Sequence, residues 1–139
     1  MKDLDWSNLS FGYRQTDYNV RCYYRDGKWG EIEVCSDEYL KLHMAATCLH
    51  YGQEAFEGLK AYRCPDGKVR VFRMDENAKR LQSTCRGILM PEVPTEMFEE
   101  MVKKVVRLNQ EWIPTYESGA TLYIRPLLIG TSAQVGVHP

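Results

Sequence analysis

The stretch Leu49-His50-Tyr51-Gly52-Gln53-Glu54-Ala55-Phe56-Glu57-Gly58-Leu59-Lys60-Ala61-Tyr62-Arg63 holds the change of rhythm on which the fold turns. Up to Gly58 no period is clear. Tyr51 and Phe56 stand five apart, which suits neither a helical stripe nor a half-buried strand. Gly52 and Gly58 leave the backbone free to bend or to approach another group closely. From Leu59 the pattern alternates, with Leu59, Ala61 and Arg63 on one side and Lys60 and Tyr62 on the other, as in a strand. Pro65-Asp66-Gly67 is a turn, and Val69 to Phe72 returns as a second strand. The segment therefore reads as an irregular aromatic loop feeding a hairpin.

Downstream, the period lengthens to that of a helix. Ala78, Leu81, Cys85 and Ile88 are spaced three and four, predicting a helix from Met74 to Leu89. Asp75 and Glu76 oppose its dipole in the first turn. Pro91 and Pro94 end it, and Thr95 is the expected N-cap of a second helix. That helix carries Phe98, Met101, Val102, Val105 and Leu108 on one face, and Trp112-Ile113-Pro114 stops it. A buried strand is expected from Ala120 to Ile124, continuing through Pro126 to Thr131. Upstream, Tyr18–Arg25 and Glu31–Cys35 read as two paired strands around the Asp26-Gly27 turn, and Tyr39–Leu42 as a third short one. Strands, then two helices, then strands make the class α+β, a mostly antiparallel sheet with two helices packed on it.

The 139 residues fit one domain, large enough for a real core. Hydrophobic residues make up 44% and the net charge is −1, which argues for a globular protein and against a nucleic-acid partner. No apolar run approaches the roughly 20 residues of a membrane helix. Residues 1–10 read as a lead-in arm without the apolar core of a signal peptide. Five cysteines without a Cys-x-x-Cys suggest reduced thiols and a cytoplasmic setting. Three scattered histidines offer no metal site.

Tyr51 to Arg63, together with Val71-Phe72-Arg73-Met74-Asp75-Glu76-Asn77-Ala78-Lys79-Arg80-Leu81 and Leu122-Tyr123-Ile124-Arg125-Pro126-Leu127-Leu128-Ile129-Gly130, resembles the signature of the branched-chain amino acid aminotransferases. These are pyridoxal phosphate (PLP) enzymes of fold type IV. Three collinear motifs are more specific than any one, and the likeness runs from about Phe11 to Pro139. It implies that residues 1–139 are the small N-terminal domain of a homodimeric enzyme. The large domain, which carries the lysine that binds the cofactor covalently, would lie outside this chain. The implied reaction moves an amino group between Leu, Ile or Val and 2-oxoglutarate, yielding a branched 2-oxo acid and glutamate. The isolated chain is expected to be inactive.

Candidate site residues follow from the motifs. Taken alone, Tyr123 and Arg125 share one strand face and read as a solvated edge. A guanidinium beside a phenol is also a good carboxylate receptor, and the resemblance implies that role. Arg80 has a local partner in Glu76, a pair worth about 0.3–0.5 kcal/mol. The resemblance makes it the arginine that grips the PLP phosphate, where a charged hydrogen bond is worth about 1.5–3 kcal/mol. Phe11, Tyr51 and Phe56 would by default be core. The resemblance places them around the substrate side chain, with Tyr51 directed across the dimer and Val135 and Val137 reaching the partner's site. Lys60 and Lys68 are not read as the cofactor lysine: a Schiff-base lysine needs a desolvated setting, Lys68 lies beside a turn, and the resemblance places the cofactor lysine in the large domain. Two rivals stand beside this reading. One is another fold-type-IV enzyme, a D-amino acid aminotransferase or an aminodeoxychorismate lyase. The other is a non-catalytic α+β module that dimerises or binds an anion through Arg80 and Arg125.

Overall fold

The computed structural model describes residue 2 and residues 4–136, so Val137 lies outside the described residues. Its elements bear out the α+β class. Two hairpin-like pairs open the chain: β1 (Asn19–Arg21) pairs with β4 (Glu33–Cys35), and β2 (Tyr24–Arg25) with β3 (Lys28–Trp29), all antiparallel. The single expected strand Tyr18–Arg25 is thus broken in two. At the break the Gly30 amide donates to the Tyr23 carbonyl, and the Trp29 indole donates to the Glu92 carbonyl, pulling the inner hairpin toward the helices.

The segment Tyr39–Leu42 is not a strand. The carbonyls of Asp37 and Tyr39 accept from the Arg21 guanidinium, and the Tyr39 amide donates to the Asp37 carboxylate. Side chains meet the hydrogen-bonding needs that a neighbouring strand would otherwise serve.

The stretch read as an irregular aromatic loop is ordered. It holds a one-turn helix, α1 (Thr47–Tyr51), ended by Gly52 in the left-handed conformation, and a strand, β5 (Glu54–Phe56). The predicted hairpin follows as β6 (Leu59–Arg63) and β7 (Val69–Val71). The expected strand through Pro126 is two strands: β8 (Leu122–Ile124) pairs with β6, and β9 (Leu127–Ile129) pairs with β5. Proline has no amide hydrogen to give a ladder, and the chain changes sheets there. The Pro126 carbonyl accepts from the Glu57 amide, so the two sheet segments are tied where they part.

Helices α2 (Met74–Gly87) and α3 (Thr95–Leu108) pack on one face of this sheet. Ala78, Leu81 and Cys85 are buried as expected, whereas Ile88 lies beyond the last turn and is exposed. Pro94, not Thr95, is the N-cap of α3. Phe98, Val102 and Val106 meet Ala55, Leu59, Ala61 and Ile124 to form the core. Burial pushes the Cys85 thiol above its usual pKa, and all five cysteines are unpaired.

Candidate active site

The register of β6 and β8 sets the site. Leu59 opposes Ile124 and Ala61 opposes Leu122, all four toward the helices. Lys60 opposes Tyr123, so both lie on the other face, where Tyr62 and Arg125 join them. In β5, Ala55 is buried and Phe56 points outward. Among the described residues no helix covers this second face.

On it, four of the residues singled out in the sequence meet. The Arg125 guanidinium donates from Nη2 to the Tyr123 hydroxyl at 3.1 Å. Its Cζ lies 4.4 Å from the Phe56 ring centroid and 5.4 Å from that of Tyr123, within cation–π range. Phe11 meets the Tyr123 ring edge to face, with centroids 5.2 Å apart. The phenol accepts from Arg125, so its own O–H remains a donor. One edge of a guanidinium, one hydroxyl donor and two apolar rings suit a small molecule with a carboxylate next to an aliphatic group.

Gly58 makes this possible. A Cβ there would lie 2.6 Å from the Tyr123 hydroxyl oxygen, closer than real contacts allow. The glycine has no side chain so that the phenol can cross it.

Arg80 faces a second hollow, shared with Gly58, Lys60, Phe72 and Arg73. It does not pair with Glu76, which lies near Arg73 and Lys79 instead. Its partner is Glu57, 23 residues back. Arg80 Nε lies 3.0 and 2.9 Å from the two carboxylate oxygens, and Nη2 lies 2.6 Å from one of them. Asn77 Nδ2 donates to the same oxygen at 2.9 Å, and also reaches the Gly58 carbonyl at 3.4 Å. The carboxylate hydrogen bond raises the Arg80 pKa, so the group is a permanent cation. Its Nε–Nη2 edge is taken. Among the described residues Nη1 makes no hydrogen bond, so the Nη1–Nη2 fork is available to an anion.

The structure does not bring every candidate together. Tyr51, at the end of α1, meets only the His50 ring among the described aromatics and is not part of the Phe11–Tyr123–Arg125–Phe56 group. Val135 is exposed at the end of the described chain. Sequence reasoning missed Glu57 and Asn77, while the close approach expected at Gly58 is made by the Tyr123 ring. A signal was present: Ala55, Glu57 and Leu59 alternate with Glu54, Phe56 and Gly58, which puts a carboxylate on the buried side of a strand edge.

No family sequence model matches the chain. A branched-chain-amino-acid aminotransferase of Haemophilus influenzae is 53% identical over 137 residues, covering 99% of this chain and 40% of the relative. The crystal structure of the Escherichia coli branched-chain amino acid aminotransferase superposes with a TM-score of 0.68 at 27% identity, over 89% of this chain and 35% of that one. Over almost its whole length the chain is similar to branched-chain aminotransferases. It spans about two fifths of the length of the curated relative it matches. A further branched-chain amino acid aminotransferase of the family, from T.th. and solved with N-(5'-phosphopyridoxyl)-L-glutamate, superposes with a TM-score of 0.61 at 30% identity, over 75% of this chain and 33% of that one. The uncovered sheet face of this chain is therefore the face to read for ligand chemistry.

Proposed function

We propose that this chain is the small domain of a branched-chain amino acid aminotransferase. In the longer polypeptide its open sheet face forms one wall of the active site. The observation that carries the reading is the Tyr123–Arg125 pair set against Phe11 and Phe56. Arg125 and Tyr123 receive the carboxylate of the amino or oxo acid. Phe11 and Phe56 receive its aliphatic side chain. An apolar wall discriminates weakly, since one methylene is worth about 0.8 kcal/mol, so Leu, Ile and Val are all accepted. The second substrate pair is 2-oxoglutarate and glutamate.

The donor set also fits PLP. Arg80 presents a free two-nitrogen fork, the geometry that suits a phosphate, and a relative was solved with a phosphopyridoxyl ligand. When bound, PLP supplies the electron sink for the reaction. This chain's residues hold the phosphate and orient the substrate carboxylate. The covalent lysine belongs to the large domain. Tyr51, Val135 and Val137 act across a homodimer, completing the partner's pocket.

The test is an assay of the longest polypeptide that carries this chain, with Leu, Ile and Val against 2-oxoglutarate. Transamination with all three is expected, and none from residues 1–139 alone. In Arg125→Lys, which keeps the charge and loses the fork, KM for both acids is expected to rise about tenfold with little change in thermal midpoint. Full activity in Arg125→Lys, or preference for a D-amino acid, overturns the assignment.

A further inference from the structure

Among the described residues Glu57 is the one charged side chain that is buried, at 3% exposure. A buried carboxylate is a costly way to fill space, and a role that needs its charge accounts for it. Its surroundings are built. The Glu57 amide is held by the Pro126 carbonyl at 2.9 Å, which fixes the backbone. Its carboxylate takes Asn77 from one turn of α2 and Arg80 from the next.

We propose that Glu57 is a positioning residue for the phosphate grip: it takes the side-on edge of the Arg80 guanidinium and so turns the end-on fork toward the phosphate of the cofactor. This rests on the assignment of Arg80 as the phosphate ligand made above. An arginine has several rotatable bonds, and 66% of this side chain is exposed. Without an anchor it would lose that freedom on binding. With Nε and Nη2 held by Glu57, the plane of the guanidinium is set, and so is the direction of its remaining N–H bonds. The same carboxylate repels a phosphate, but from behind a cation that neutralises it. The anchoring outweighs that repulsion.

The experiment titrates the apo form of the longest polypeptide carrying this chain with PLP and with pyridoxal, which lacks the phosphate. Binding is followed by absorbance. Glu57→Gln is expected to raise the Kd for PLP about tenfold and leave that for pyridoxal unchanged, the scale on which removing the support behind a ligand residue acts elsewhere. Arg80→Lys is expected to raise the PLP Kd at least as far, and adding Glu57→Gln to it to cost nothing more. If Arg80→Lys leaves the ratio of the two constants unchanged, the phosphate assignment itself fails. If Arg80→Lys changes the ratio but Glu57→Gln does not, or Glu57→Gln weakens both ligands equally or tightens PLP, Glu57 only supports the fold and the proposal is overturned. Should Glu57→Gln not fold, Glu57→Asp keeps the charge but shortens the reach. The same loss of ratio is expected from it, and a wild-type ratio overturns the proposal.

Discussion

Ala61 and Lys60 are neighbours in β6, yet Ala61 is sealed under two helices and Lys60 lies on the open side of the sheet. The contrast extends across the whole sheet. One face is aliphatic, close-packed and finished within this chain. The other carries a guanidinium, two phenols, a lysine and an exposed phenylalanine, held by hydrogen bonds and ring contacts rather than by enclosure. Order on the first face comes from excluded water. On the second it comes from direction: Arg125 is aimed by the Tyr123 hydroxyl and the Phe56 ring, and Tyr123 by Arg125 and Phe11.

Substitutions should separate the two faces. The largest effect is expected from Phe98→Ala, which empties the middle of the covered side. It should cost about 3–5 kcal/mol, read as a lower denaturant midpoint, without changing ligand affinity of the folded fraction. Gly58→Ala acts at the join. The new methyl group displaces the Tyr123 ring, so stability is expected to fall by about 1–3 kcal/mol and carboxylate affinity to fall with it. Should affinity survive while stability drops, the phenol is not part of the receptor. Tyr123→Phe touches the open side alone. It removes the acceptor for Arg125 Nη2, worth about 0.5–1.5 kcal/mol, and the change should appear in carboxylate binding rather than in the midpoint.

The smallest effect is at the hairpin tip. Arg70 holds the Asp66 carboxyl below its usual pKa by hydrogen bonding, helped by the Lys68 amide. A carboxyl with a lowered folded pKa adds stability above its unfolded pKa and loses it as pH falls through the folded one. Stability of the wild type minus that of Asp66→Asn should therefore shrink below the ordinary Asp range. The pair is half exposed, so the difference is slight, and an unchanged difference across that window would show that the pair contributes nothing.

Much of this arrangement was legible in local pattern. The alternation after Gly58 revealed the hairpin, three-and-four spacing revealed both helices, and a period of two put Tyr123 and Arg125 on one face. What escaped depends on contacts distant in sequence. Arg80 has a suitable acid four residues back, so a local rule points to Glu76, but folding offers Glu57, which is buried and anchored by Asn77 as well. Tyr39–Leu42 has strand composition, but the Arg21 guanidinium takes its carbonyl and that of Asp37. The sheet change at Pro126 and the strand Glu54–Phe56 depend on each other, because β5 exists only where β9 returns to pair with it. Tyr51 and Val135 had no local pattern to place them.

The tie at Glu57 has one more implication. Its carboxylate holds Arg80, while its amide holds Pro126, the residue directly after Arg125. A single backbone link therefore gauges the span between two anion-seeking groups, and rotamer changes in either arginine cannot reset it. If the proposed function holds, retuning for longer or shorter acids should leave that span alone and recut the aromatic lining around Phe11 and Phe56 instead.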